Sequence, residues 1–177
     1  MYKRQEEYTA QVVGTDESSD LAVLKIDATG LTAIEVGSSS DLAVGEWVMA
    51  VGSPFGLEQS VSTGIVSATS RTTSALNDSS SGSSAVYTNM IQTDAAINPG
   101  NSGGALVDKD GKLIGVNTLI ASASGSSSGV GFAIPVDYAM NIAQQIIDGK
   151  TPSHAQLGIT GTCLLYTSPS PRDAHES

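Results

Sequence analysis

The segment Gly100-Asn101-Ser102-Gly103-Gly104 sets one hydroxyl among glycines. A serine hydroxyl is a poor nucleophile until the backbone exposes it and a neighbouring base takes its proton. Glycines on both sides let the chain turn tightly. They also let backbone N–H groups face a carbonyl without side chains in the way. An exposed Oγ beside such donors is what acyl transfer through a serine requires. Five residues of this kind also describe an ordinary Gly/Ser turn, so the chemistry depends on what surrounds them.

Thr93-Asp94-Ala95-Ala96-Ile97-Asn98-Pro99 runs directly into that turn. The whole stretch resembles the active-site segment of the HtrA/Deg family of trypsin-like serine proteases. The resemblance implies that Ser102 is the nucleophile. It also implies an oxyanion hole formed by the N–H groups of Gly100 and Ser102, with Asn101 contributing. A second segment, Ser19-Asp20-Leu21-Ala22-Val23-Leu24-Lys25-Ile26, is similar to the family's stretch around the triad aspartate, which is then Asp20. Read from its residues alone, 21–26 is a short apolar run of strand formers, and Asp20 stands at its start. By the same resemblance, Ile97, Thr118, Leu119 and Ile120 line the primary specificity pocket. None of the four is charged, which implies cleavage after small or medium apolar residues. Asn101 stands where digestive relatives carry an aspartate that pairs with a new N-terminus. Without that charge, activation by ordering of a loop is expected instead.

The triad of this family runs His, Asp, Ser along the chain. Nineteen residues precede Asp20 and none is histidine; His154 and His175 both follow Ser102. The family's Thr-x-x-His-Val motif has no counterpart here. The expectation is a protease domain without its N-terminal part, inactive by itself. Residues 1–7 then read as a non-native lead-in, 8–150 as the protease domain and 163–177 as a non-native tail. Residues 151–162 read as a linker and the start of a PDZ domain, because His154-Ala155-Gln156-Leu157-Gly158-Ile159 looks like that domain's opening. Its Leu157-Gly158-Ile159 would belong to the loop that binds a peptide carboxylate.

Composition narrows the class. Apolar residues make up 40% of the 177, enough for one core, while aromatics are only 5% and glycines number 19, which suits a β-rich, loop-rich domain. A net charge of −10 disfavours nucleic acid and anionic lipid, whose phosphates call for Lys and Arg clusters. No apolar run approaches the ~20 residues of a membrane-spanning helix. The acidic residues are scattered without metal-ligand spacing, so neither metal nor cofactor is expected.

The expected fold is all-β: a trypsin-like double β-barrel with an incomplete first barrel, a complete second barrel and a C-terminal helix. Residues 8–13, 20–26 and 46–51 read as strands of the first barrel, with 34–36 as a short apolar piece. Residues 60–68 open the second barrel. Residues 69–85 are Ser-rich and read as a loop, which the family resemblance makes a ligand-sensing one. Asp110-Gly111 between two apolar runs signals a hairpin of 105–108 with 113–118. Residues 130–135 read as a strand. Ala139, Ile142, Ala143, Ile146 and Ile147 then fall at helical spacing, and Gly149 marks the stop. Trp47 reads as a half-buried strand residue.

Two rivals stand beside this reading. Gly100-x-Ser102-x-Gly104 also satisfies the nucleophile elbow of α/β-hydrolases, with Asp137 and His154 completing a triad in that order. An elbow must lead into a helix, and here a hairpin follows. The other rival is a non-catalytic chaperone or peptide-binding scaffold of the same family. The resemblance itself implies unfolded polypeptide substrates, a role in protein quality control and a homotrimer or larger assembly. It places the parent in the bacterial envelope, either periplasmic or anchored outside the membrane.

Overall fold

A computed structural model describes residues 7–53, 60–75, 85–120 and 129–154. Among these described residues eight strands and one helix follow one another: β1 (Ala10–Asp16), β2 (Leu21–Ile26), β3 (Trp47–Gly52), β4 (Ser60–Ala75), β5 (Ala85–Thr93), β6 (Ala105–Asp108), β7 (Leu113–Ile120), β8 (Gly131–Pro135) and α1 (Val136–Ile147). Strands β1 and β2 form a two-stranded antiparallel sheet, in which Val12 faces Leu24 and Asp16 faces Leu21. The other six close into a barrel in the order β3-β4-β5-β8-β7-β6.

Barrel closure corrects two expectations. Strand β3 pairs with β4 and with β6, Val48 opposite Gly64 and Asp108, so 46–51 belong to the closed barrel and not to the first one. Strand β4 does not end near residue 68. It continues to Ala75, and β5 begins at Ala85, so both flanks of the Ser-rich stretch are paired strand. Three register shifts lie between Val66 and Thr73. Such irregularities bend a strand and raise its twist, which suits a long ribbon leaving a barrel wall. Residues 76–84 lie outside the described residues. The hairpin of β6 and β7 forms as expected. Gly111 turns at φ +79°, and Asp108 Oδ1 accepts the N–H groups of Asp110 and Lys112, both at 2.9 Å.

The barrel is filled by Val48, Ala50, Val66, Ile91, Leu106, Ile114 and Ala133, all at most 2% exposed. A second apolar cluster of Met90, Phe132, Ile134 and Ala139 joins the barrel wall to the helix and takes in Leu21 of β2. Helix α1 buries Val136, Ala139, Ile142 and Ile146 and leaves Ile147 59% exposed, so the apolar stripe is narrower than its spacing implied. Gly149 closes the helix at φ +71°. Its N–H reaches Ile146 O at 3.0 Å and the Lys150 N–H reaches Gln145 O at 2.9 Å, the paired bonds of a Schellman stop. Gly14 lets β1 come close to the helix, because a Cβ there would lie 2.7 Å from Ile146 Cγ2. Among the described residues no helix is long and apolar enough to cross a membrane.

Candidate active site

The segment after β5 is pinned before it turns. Thr93 is fully buried and its hydroxyl donates to Ile65 O at 2.8 Å. Asp94 Oδ1 accepts the Ile65 N–H at 2.7 Å, and the Ser62 hydroxyl donates to Ala96 O at 2.8 Å. All three bonds run to β4, so residues 93–96 follow the barrel wall. The turn then uses its own backbone: the Asn101 N–H donates to Asn98 O and the Gly104 N–H to Asn101 O, both at 2.9 Å. Gly103 N–H to Asn117 O at 2.8 Å and Asn117 N–H to Gly104 O at 2.9 Å tie the turn to β7. Gly100 at φ +100° and Gly103 at φ +80° flank Ser102, a backbone that residues with a Cβ rarely adopt.

Those turn bonds engage the N–H groups of Asn101, Gly103 and Gly104, and not those of Gly100 or Ser102. Of the three residues expected at an oxyanion hole, Asn101 thus spends its N–H inside the turn. Its side chain is 5% exposed, and its Nδ2 donates to Ala96 O at 3.2 Å. An aspartate there would set a buried carboxylate against a carbonyl oxygen, which burial penalises heavily. The neutral amide donates there, while its Oδ1 is buried with no hydrogen-bond partner among the described residues.

Gly104 is the tightest point. A Cβ there would overlap the backbone oxygen of Val51 and come within 2.8 Å of Asn101 O. Gly104→Ala will therefore cost about 1–3 kcal/mol through overpacking against two main-chain oxygens, which cannot swing aside as a flexible side chain would. A chemical denaturation midpoint lowered with unchanged m-value will show it.

Ser102 is exposed, and its Oγ donates to Thr118 O at 2.8 Å. The hydroxyl of the same Thr118 donates to Asp20 Oδ2 at 2.5 Å. One residue of β7 therefore holds Ser102 through its carbonyl and Asp20 through its side chain. Asp20 is exposed at the mouth of β2 and is left-handed at φ +58°. The structure brings Ser102, Thr118 and Asp20 together. Ile97 lies in the barrel core at 1% exposure, and a Cβ on Gly131 would meet its side chain. Leu119 and Ile120 complete β7, and their side chains lie outside the described residues.

No imidazole reaches Ser102 or Asp20 among the described residues. His154 Nε2 lies 3.0 Å from Asp16 Oδ1, and its Nδ1 lies 3.1 Å from the Tyr138 hydroxyl. Asp137 Oδ2 accepts the N–H groups of Ser39 and Ser40 at 3.1 and 3.0 Å. The α/β-hydrolase assignment of Ser102, Asp137 and His154 thus fails on geometry, and strand β6 rather than a helix follows the serine. Burial alone would raise the Asp16 carboxyl. The Ser19 and His154 hydrogen bonds and the nearby imidazole charge outweigh it and hold the group below the usual aspartate range.

The contacts of Asp16, Ser19 and Tyr138 were not foreseen from sequence, nor was the bridging by Thr118. Asn117 left a signal, as an amide inside the apolar run 113–118. It is fully buried, with Nδ2 donating to Ala105 O at 3.1 Å.

The trypsin-like peptidase domain matches residues 2–116. A probable periplasmic serine endoprotease, DegP-like, from Halomonas elongata is 48% identical over 153 residues, which are 86% of this chain and 30% of that protein. Serine protease PepD of Mycobacterium tuberculosis is 51% identical over 159 residues, 85% of this chain and 34% of that protein. The solved HtrA-type protease AlgW with decapeptide superposes at a TM-score of 0.73 and 52% identity, over 81% of this chain and 42% of that one. The chain spans about a third of the length of the curated relatives it matches. The barrel, the glycine-flanked serine held against β7 and these likenesses agree: the chain belongs to the trypsin-like peptidase family, and its relatives there are HtrA/Deg-type serine proteases.

Proposed function

We propose that this chain is the catalytic part of an HtrA/Deg-type serine endopeptidase acting on unfolded polypeptides. The observation that carries the reading is the double attachment at Thr118, with Ser102 Oγ on its carbonyl and Asp20 Oδ2 on its hydroxyl. A base able to reach both groups must lie against Thr118. A histidine from outside these 177 residues fills that place in this reading. It takes the Ser102 proton as Oγ attacks the scissile carbonyl, then returns it to the leaving amine. Asp20 fixes the tautomer of that histidine and stabilises its charged form. The N–H groups of Gly100 and Ser102 hold the oxyanion, and removing one such donor raises the barrier by about 3–4 kcal/mol.

The relatives' names support a bacterial envelope location, since several are called periplasmic. Assembly into homotrimers or larger, and a PDZ domain beginning within 151–162, complete the proposal for the whole protein. The test is a map of cleavage sites in an unfolded protein digested by the full-length protein. Cuts after Val, Ala and similar residues are expected. Cuts mainly after Lys or Arg overturn the pocket assignment, and binding without cleavage overturns the enzyme reading in favour of a scaffold.

A further inference from the structure

The turn that presents Asp20 is short and is held by one side chain. Asp16 ends β1, and its Oδ2 accepts the Ser19 N–H at 3.2 Å and also the Ser19 hydroxyl. Ser19 is 4% exposed, one of few buried polar residues among those described. The Asp20 N–H reaches back to Glu17 O at 3.4 Å. The left-handed backbone of Asp20 is therefore the last step of a turn built on the Asp16 carboxylate. Residues other than glycine keep such a backbone only where their surroundings impose it.

The free oxygen of that carboxylate is taken by a residue 138 positions away. His154 Nε2 lies 3.0 Å from Asp16 Oδ1, with the Asp16 side chain 10% exposed and that of His154 27%. The second ring nitrogen faces Tyr138 of α1 at 3.1 Å. A neutral imidazole carries one donor and one acceptor. With a proton on Nε2 the ring donates to Asp16, and the Tyr138 hydroxyl can either donate to Nδ1 or accept from it, so every member is satisfied in either state of the ring. Helix α1 thereby sets the ring, the ring sets the carboxylate, and the carboxylate sets the turn that aims Asp20. Residues 151–154 are otherwise held by a polar contact, the Ser153 N–H on Gln145 Oε1 at 3.0 Å. A cleft of about 640 Å³ that Ser19, Tyr138 and His154 line separates them from the barrel wall.

We propose that His154 is a positioning residue for Asp20, acting through Asp16 and the 16–20 turn. The inference rests on the reading of Asp20 as the triad aspartate. Losing the ring frees Asp16 Oδ1, lets the carboxylate rotate off Ser19, and lets Asp20 drift from Thr118. A small displacement of an orienting group lowers the chemical step without changing substrate binding. The segment that follows α1 is thereby coupled to the catalytic geometry.

The test is steady-state hydrolysis of a chromogenic peptide by the full-length protein, far below its melting temperature. His154→Ala and Asp16→Asn should each lower kcat about tenfold with KM unchanged, and the double variant should lose no more than either single one. His154→Arg, which still donates to Asp16, should recover most of the rate. If His154→Ala does not fold, His154→Phe, which fills the place of the ring without a donor for Asp16, takes its place in the cycle. Wild-type kcat in the His154 variant, losses that multiply, or no recovery by arginine each overturn the proposal. Hydrolysis that survives Ser102→Ala overturns the catalytic reading itself; Ser102-dependent hydrolysis indifferent to His154 overturns only this inference.

Discussion

Replacing Ser102 with alanine in the full-length protein will lower peptide hydrolysis by about 10⁵- to 10⁶-fold, some 7–8 kcal/mol of barrier. The size of the effect follows from the site's construction. The glycine-flanked turn exposes one oxygen. The hydroxyl of Thr118, the residue that accepts from Ser102, is committed to Asp20 Oδ2 at 2.5 Å. The turn itself should survive, since Ser102→Ala removes only the exposed side chain's bond to Thr118 O and leaves the main-chain bonds of the turn in place. Unchanged thermal unfolding beside the lost rate will show that chemistry and not folding was removed. The 177-residue chain, with no histidine before Asp20, should sit at the same residual rate. Labelling of Ser102 by a fluorophosphonate should be correspondingly slow in this chain and fast in the full-length protein. Rapid labelling of the shorter chain would mean that the serine is activated by something other than an upstream base.

Asp20→Asn will cost about 10⁴-fold in kcat at neutral pH, the loss expected when a triad carboxylate becomes an amide. The local geometry gives the reason. The Thr118 hydroxyl donates toward Asp20 and needs an acceptor there. The amide oxygen of an asparagine takes that place, which turns its NH₂ toward the base. The imidazole must then accept at that nitrogen and carry its proton on the one facing Ser102. In that tautomer it cannot take the serine proton. A paired Asp20→Asn and Thr118→Val variant checks the argument. Without the hydroxyl the amide is free to flip, and part of the rate should return. Equal activity in the single and double variants would show that Thr118 does not dictate the orientation.

The parts of this protein that were legible in its sequence are the local ones. Gly100 and Gly103 had to be glycine because the chain turns through positive φ on both sides of Ser102. Asp110-Gly111 dictated a hairpin, and the spacing of Ala139, Ile142 and Ile146 dictated a buried helix face closed at Gly149. Each of these is decided within a few residues, by backbone sterics or by one helical period, so the neighbouring sequence suffices.

Membership of strands in a barrel is a different matter. Residues 47–52 look the same whichever barrel they join, and only the pairing of Val48 with Gly64 and Asp108 decides it. Residues 69–75 are polar enough to read as loop, yet β5 supplies ladder partners that an isolated Ser/Thr run lacks. Ser102 and Asp20 could be proposed as nucleophile and triad aspartate from sequence, because their types and neighbours are distinctive. That Thr118 joins them, and that His154 reaches Asp16 across 138 positions, was decided by the tertiary structure alone. A hydrogen bond reports distance in space, and closure of the barrel against the helix sets that distance.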